Sequence, residues 1–139
     1  MSGPKYFVSA CLAGCACRYD GKSKTRDELK ELVDSGRAIA VCPEELGELP
    51  TPRPPAEIKN NRVISCLGKD ISLNYHLGAL RALQIAEEYK INEFFLKSKS
   101  PMCGFKKVYD GSFSGKLTEG HGIFSSLLLN KKFIIHEVE

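Results

Sequence analysis

Four short apolar runs alternate with longer amphipathic segments along the chain. The runs at 6–11, 38–42, 92–96 and 133–138 contain many Val, Ile and Phe residues, which is typical of buried β-strands. Strands that alternate with helices form parallel sheets with right-handed crossovers. The pattern therefore predicts an α/β fold: a three-layer, Rossmann-like sandwich with a mostly parallel central sheet. In such folds ligands bind at the carboxyl ends of the strands.

Three helices are predicted between these strands. Thr25 and Glu28 have the spacing of a capping box, and Gly36 is a typical residue to end the helix that they begin. The strongest helical pattern covers residues 73–90, and a third helix is predicted at 122–130. The helix at 73–90 has alanine-rich filling and carries a leucine stripe along one side: Leu73, Leu77, Leu80 and Leu83 or Gln84.

The remaining segments are expected to be irregular or to form small hairpins. Four prolines within 50–55 exclude a helix or a central strand, so residues 47–55 are predicted to form a stiff, extended loop. Residues 62–72 are predicted to form a small hairpin or an irregular excursion. The polar, glycine-rich segment at 104–121 is predicted to be mostly loop or hairpin.

Length and composition fit one α/β domain that spans residues 1–139. The chain has 42% hydrophobic residues, which is ordinary for a globular protein. Its formal net charge is +3 and its charges are scattered, so the sequence gives no strong indication of nucleic-acid binding. This mild positive charge favours an anionic or electron-rich small substrate. No apolar run approaches the roughly 20 residues that a membrane span needs. The pattern does not indicate an oligomeric state.

Six cysteines are many for a chain of 139 residues. A normal core and the absence of a clear export signal favour a reducing, cytoplasmic compartment and metal or cluster ligation over a disulfide framework. The segment 12–15 resembles a lipoprotein processing motif, but the apolar segment before it is shorter than a signal core and fits a strand better. The six are Cys11, Cys15, Cys17, Cys42, Cys66 and Cys103.

Three of these cysteines stand where a predicted strand ends. Cys11, Cys42 and Cys103 should therefore emerge at the same edge of the sheet, which predicts a soft-metal or iron–sulfur site with one position left open for a substrate. Glu44 follows Cys42 by two residues, so in an extended backbone both would point to one face, and the carboxylate could move protons. Ser100 places a hydroxyl near Cys103.

The segment after the first strand contains two further cysteines. Cys11, Cys15 and Cys17 have the spacing C-x3-C-x-C, which matches neither the paired C-x2-C of zinc sites nor the ferredoxin spacing. The tripeptide Tyr-Asp-Gly occurs at 19–21 and again at 109–111, and we interpret both copies as similar turns.

Six motifs together resemble a prokaryotic family long called "domain of unknown function 523". They are S-A-C-L-A-G at 9–14, R-Y-D-G at 18–21, V-C-P-E at 41–44, L-P-T-P-R-P-P-A-E at 49–57, K-S-x-S-P-x-C-G at 97–104 and Y-D-G-x-F-S-G at 109–115. The resemblance runs nearly end to end. One branch of that family comprises the thiouracil desulfidases.

The resemblance implies a [4Fe-4S] cluster held by Cys11, Cys42 and Cys103, with Glu44 as the catalytic carboxylate and Ser100 as the catalytic hydroxyl. It implies a non-redox desulfidase whose partner is a small thiolated substrate, such as a thiouracil-like base.

The carbonyl of that base could be held by Arg18 or Arg53 through paired hydrogen bonds. Cys15 and Cys17 depart from the family pattern, and Cys17 could compete as a ligand or close the fourth position. The alternative function is a non-catalytic metal-binding or thiol redox-sensing module that uses these two thiols.

Overall fold

The computed structural model describes residues 3–139. Its elements follow one another along the chain in this order: β1 (Tyr6–Ser9), a 3₁₀ turn (Ala10–Ala13), α1 (Asp27–Asp34), β2 (Ala38–Val41), α2 (Pro43–Leu46), β3 (Ala56–Lys59), β4 (Arg62–Ser65), α3 (Ser72–Glu88), β5 (Glu93–Lys97), β6 (Lys107–Tyr109), β7 (Leu117–Glu119), α4 (Ile123–Leu128) and β8 (Ile134–Val138). No helix within the described range is both long and apolar enough to cross a membrane.

A four-stranded sheet with the order β2-β1-β5-β8 forms the centre of the fold. All three strand pairings are parallel, and Val8 of β1 stands opposite Ala40 of β2 and Phe95 of β5. Because successive side chains on a strand point to opposite faces, Phe7 and Val8 enter different layers. The predicted parallel sheet is therefore confirmed.

Each face of the sheet is covered by helices. Phe7 and Phe94 pack with Phe124 of α4 and with the buried side of α3, whereas Val8 packs with Leu29 of α1 on the opposite face. These two apolar clusters make three layers, as the strand–helix alternation predicts.

The start of α1 differs from the predicted capping box. Arg26 occupies the N-cap position, and its side chain makes no capping hydrogen bond, whereas the Thr25 hydroxyl lies 3.0 Å from the Ser23 hydroxyl. The prediction was wrong because these two neighbouring hydroxyls satisfy each other. The carboxyl end of α1 is as predicted, because Gly36 adopts a left-handed φ of 79° and its N–H donates to the Val33 carbonyl.

The leucine stripe of α3 does not coincide with its buried side. Leu73 and Leu80 are 81% and 53% exposed, and only Leu83 packs against the core cluster. The buried side consists of small residues together with one tyrosine: Ser72, Tyr75, Gly78, Ala79, Ala82 and Ala86. Small side chains allow α3 to approach the sheet and α2 closely, and that close contact decides which face is buried.

The excursions outside the sheet are two antiparallel hairpins. The first pairs β3 with β4 through Asn60 and Asn61, both at positive φ. The hairpin predicted at 62–72 was thus placed one strand too late. The second pairs β6 with β7, inside the segment predicted as loop or hairpin. Residues 47–55 contain neither helix nor strand, as their prolines predict.

The short helix α2 is held against α3 by hydrogen bonds to its carboxyl end. Asn74 Nδ2 donates to the Gly47 carbonyl at 2.9 Å, and Arg81 Nη1 donates to the Leu46 carbonyl at 2.6 Å. At the crossing point, a Cβ atom on Gly78 would come within 1.9 Å of the Pro43 carbonyl oxygen. The two backbones therefore touch at a position where only glycine fits.

We expect Gly78→Ala to lower the free energy of unfolding by about 1–3 kcal/mol, because the added methyl group would force α2 away from α3. Urea denaturation followed by circular dichroism measures this change. Leu80→Ala is the matched control, since Leu80 is an exposed position of the same helix, and a change below about 0.5 kcal/mol is expected there. Equal stability of the two variants would contradict the close contact.

Candidate functional site

A cavity of about 570 Å³ opens at the carboxyl ends of the central strands. Its volume lies within the usual range of about 300–1,000 Å³ for small-molecule sites. The structure brings all seven residues proposed from the sequence to its walls: Cys11, Arg18, Cys42, Glu44, Arg53, Ser100 and Cys103. Cys66 is exposed and is not part of the wall.

The three strand-end cysteines reach this cavity from three elements. Cys11 lies in the 3₁₀ turn after β1, Cys42 lies between β2 and α2, and Cys103 lies in the turn after β5. Cys11 and Cys103 are buried, whereas Cys42 is half-buried.

The electrostatics of these thiols show that they converge. Burial raises the pKa of Cys11 to about 11, and the neighbouring Cys42 and Glu44 charges contribute. Burial also holds the pKa of Cys103 well above its usual range, although the Ser9 hydrogen bond acts in the opposite direction and Cys11 and Cys42 add further repulsion. Three thiols that repel one another as thiolates suit a positively charged metal group between them.

A fourth cysteine, Cys17, lies next to Cys42. Cys17 is only 2% exposed, and the Cys42 sulfur lies 3.8 Å from its carbonyl oxygen. A hydrogen bond between the two thiols lowers the pKa of Cys42 and raises that of Cys17. Competition of Cys17 for the metal position stays a prediction.

Glu44 reaches the cavity from a helical turn and not from an extended strand. It belongs to the first turn of α2, so the expected extended geometry from Cys42 to Glu44 was wrong. The reason is that Pro43 at the first helical position favours a helix start. Glu44 Oε2 accepts hydrogen bonds from Arg53 Nη2 at 2.7 Å and from the Tyr75 hydroxyl at 3.2 Å.

Tyr75 is a site residue that sequence reasoning missed. It is 2% exposed, and burial together with the Glu44 charge holds its pKa well above the usual range, so the hydroxyl stays protonated and donates. On the sequence it is one aromatic residue at the start of a helix. Its role depends on the contact between α2 and α3, which no local pattern reveals.

The two arginines of the site have different surroundings. Arg53 is buried, and its Nη1 donates to the Pro50 carbonyl at 3.1 Å and to the Thr51 hydroxyl at 2.9 Å, while Nη2 also donates to the Cys17 carbonyl. Arg18 makes a single long ion pair with Asp20 at 3.8 Å. A role for either arginine in binding a substrate stays a prediction.

Ser100 stabilises the turn that carries Cys103. Its Oγ accepts hydrogen bonds from the backbone N–H groups of Met102 at 3.2 Å and Cys103 at 2.7 Å. Both bonds use the oxygen as acceptor, so the hydroxyl hydrogen remains available to donate into the cavity.

Both hairpins contribute residues to the cavity wall. Glu57 Oε1 accepts hydrogen bonds from the N–H groups of Gly111 at 3.0 Å and Phe113 at 3.1 Å, which ties the second hairpin to β3. Both Tyr-Asp-Gly segments are turns, as predicted, with an Asp side chain that accepts a backbone N–H two residues further on. Their tyrosines, Tyr19 and Tyr109, both line the cavity.

The strand ends of a parallel sheet bring three cysteines into one cavity, beside a carboxylate held by an arginine and a tyrosine. These features define an α/β protein with a cysteine-lined candidate metal site. The chain belongs to the 2-thiouracil desulfurase family, whose model matches residues 7–139. The resemblance noted from the sequence motifs is thereby confirmed.

Two relatives are similar over most of the chain. The solved structure of the [4Fe-4S]-dependent thiouracil desulfidase TudS has 40% sequence identity and a TM-score of 0.90, with 96% of this chain and 90% of that chain covered. The uncharacterized protein YbbK of Bacillus subtilis (strain 168) is 37% identical, with 87% of each chain covered.

Proposed function

We propose that this protein is an iron–sulfur-dependent, non-redox desulfidase that acts on a small thiolated base of the thiouracil type. Water supplies the oxygen of the product carbonyl, the sulfur leaves as hydrogen sulfide, and no net electrons are transferred. The observation that carries the proposal is the convergence of Cys11, Cys42 and Cys103 on one cavity beside Glu44 and Ser100. We further propose that residues 1–139 form one domain and that the protein acts in the reducing cytoplasm.

Cys11, Cys42 and Cys103 are the residues that would hold a [4Fe-4S] cluster. The donor set fits the group, because thiolates are the usual ligands of such clusters and the three thiols share one cavity. A positively charged group would also offset the burial, and the smaller mutual repulsion, that raise the pKa of Cys11 and Cys103. Bound through these three cysteines, the cluster would supply a Lewis acid that polarises the thiocarbonyl group of the substrate.

Glu44 is proposed to accept a proton from the attacking water. Its Oε2 is occupied by Arg53 and Tyr75, whereas no donor within the described residues binds Oε1. Because Arg53 and Tyr75 both bind Oε2, the carboxylate cannot rotate freely and the direction of Oε1 is fixed. Proton acceptance by a carboxylate in this manner is general base catalysis.

Ser100 and Arg18 are proposed to orient the substrate and the water. The Ser100 oxygen is held by two backbone donors, so its hydrogen can be directed towards the reacting atoms. Arg18 lines the cavity with a weakly engaged guanidinium, which suits a base carbonyl. The Arg53 guanidinium already donates to four protein oxygens, so we assign Arg53 to positioning Glu44 and not to binding the substrate.

The direct test combines anaerobic analysis of iron and acid-labile sulfide with turnover of 2-thiouracil. A cluster-loaded protein should consume 2-thiouracil and release equal amounts of uracil and hydrogen sulfide without an added reductant. Iron binding without sulfide release would instead support the alternative of a non-catalytic metal-binding or redox-sensing module.

Replacing Cys42 with Ser should strongly lower the bound iron, because a hydroxyl is a harder and weaker ligand than a thiolate. Iron per chain after anaerobic reconstitution measures the effect. Cys66→Ser is the matched control, since Cys66 is exposed and lies outside the cavity wall. Equal iron loss in the two variants would show that the ligands are misassigned.

Glu44→Gln should keep the cluster and lower turnover by about 10²-fold or more, because the amide preserves size and removes the proton acceptor. Steady-state release of sulfide from cluster-replete protein measures the rate. Glu48→Gln, an exposed carboxylate two residues beyond α2, provides the control and should retain full activity. Full activity of Glu44→Gln would remove Glu44 from the mechanism.

Tyr75→Phe should lower kcat by about tenfold with little change in KM, because Glu44 loses one of its two donors while the rest of the cavity is retained. Steady-state sulfide release from cluster-replete protein measures both constants. Tyr89→Phe, at the exposed end of the same helix, is the control. A loss of thermal stability with an unchanged kcat would argue against positioning.

A further inference from the structure

A second group of metal-binding side chains lies beside the cavity. The sulfur atoms of Cys15 and Cys17 and a carboxylate oxygen of Glu45 all lie within 4.8 Å of one another. Cys15 and Glu45 are exposed, whereas Cys17 is buried and forms part of the cavity wall. None of the three belongs to the proposed cluster ligands or to the proposed catalytic residues.

The backbone holds the two thiols in place independently of any ion. The Cys15 N–H donates to the Ala10 carbonyl at 3.1 Å, directly after Gly14, which takes a left-handed φ of 99°. The Cys17 carbonyl accepts a hydrogen bond from the buried Arg53 at 3.1 Å. The C-x-C pair is therefore folded so that both sulfurs approach one point, although the two residues are only two positions apart.

The carboxylate comes from a different part of the chain and is also oriented. Glu45 lies in the first turn of α2, and its Oε2 accepts a hydrogen bond from the Thr51 hydroxyl at 2.6 Å. Hydrogen bonds of this kind to a ligating carboxylate fix its direction and strengthen metal binding. The site is thus assembled from a loop and a helical turn that meet only in the folded protein.

We propose that Cys15, Cys17 and Glu45 form a second metal site, which takes a thiophilic divalent cation of the zinc class. Two sulfurs and one carboxylate oxygen are ligands that Zn²⁺ accepts, and water can complete a tetrahedron. Magnesium and calcium are disfavoured because they require oxygen ligands. The two exposed ligands leave the site open to ions from solvent.

Cys17 belongs to this site and also contacts Cys42, so the test must separate the second metal from the cluster cysteines. Zinc binding is measured without turnover, and its outcome is therefore independent of the proposed desulfidase activity. The cluster-loaded protein is suitable because iron already occupies the strand-end cysteines.

The experiment is equilibrium dialysis of anaerobic, cluster-loaded protein against chelator-buffered Zn²⁺, followed by metal analysis. We expect one zinc ion per chain with the iron content unchanged. Cys15→Ser and Glu45→Gln should each weaken zinc binding by about tenfold or more. Cys66→Ser, the other exposed cysteine, should bind zinc as the unsubstituted protein does.

Three results would overturn the site: no zinc above background, equal affinity in the two ligand variants and the control, or iron lost in proportion to zinc gained. Reduced, cluster-free protein provides a second measurement where cluster loading fails in a variant. There the unsubstituted chain should bind one more zinc ion than Cys15→Ser, and equal stoichiometry would contradict the proposal.

Discussion

The close contact between α2 and α3 is the constraint on which the candidate site depends. A four-residue helix has too few internal hydrogen bonds to be stable alone. Here Asn74 and Arg81 of α3 bind the last carbonyls of α2, and Gly78 lets the two backbones meet. The same contact brings the Tyr75 hydroxyl to Glu44. Stability of the helix pair and orientation of the carboxylate therefore have one physical origin.

The parallel sheet supplies the second part of the site. Strands that run in one direction all end at one edge, so Cys11 and Cys42 meet there although they lie far apart in the sequence. Burial of Cys11 makes its isolated thiolate unfavourable, and a cationic group would offset that penalty. In this way the backbone topology, more than any local motif, determines the donor set.

The parallel sheet and seven residues of the cavity wall could be predicted from the sequence, because both depend on strand ends and on motifs that lie along the chain. Tyr75 could not be predicted, because that residue acts through a contact with a distant helix. The exposed Leu73 and Leu80 do not mark the buried face of α3, since periodicity cannot tell an exposed leucine stripe from a buried stripe of small residues. Glu45 was missed as a partner of Cys15 for the same reason as Tyr75: the two meet only through tertiary packing.

The cavity wall has two parts, and they come from different elements of the fold. The thiols come from the strand ends of the central sheet, whereas Tyr109 and Phe113 come from a hairpin that Glu57 fastens to β3. Substitutions in that hairpin can reshape the surface that meets a substrate without moving a strand of the sheet. The metal chemistry can therefore stay constant while the choice of thiolated compound diverges among relatives.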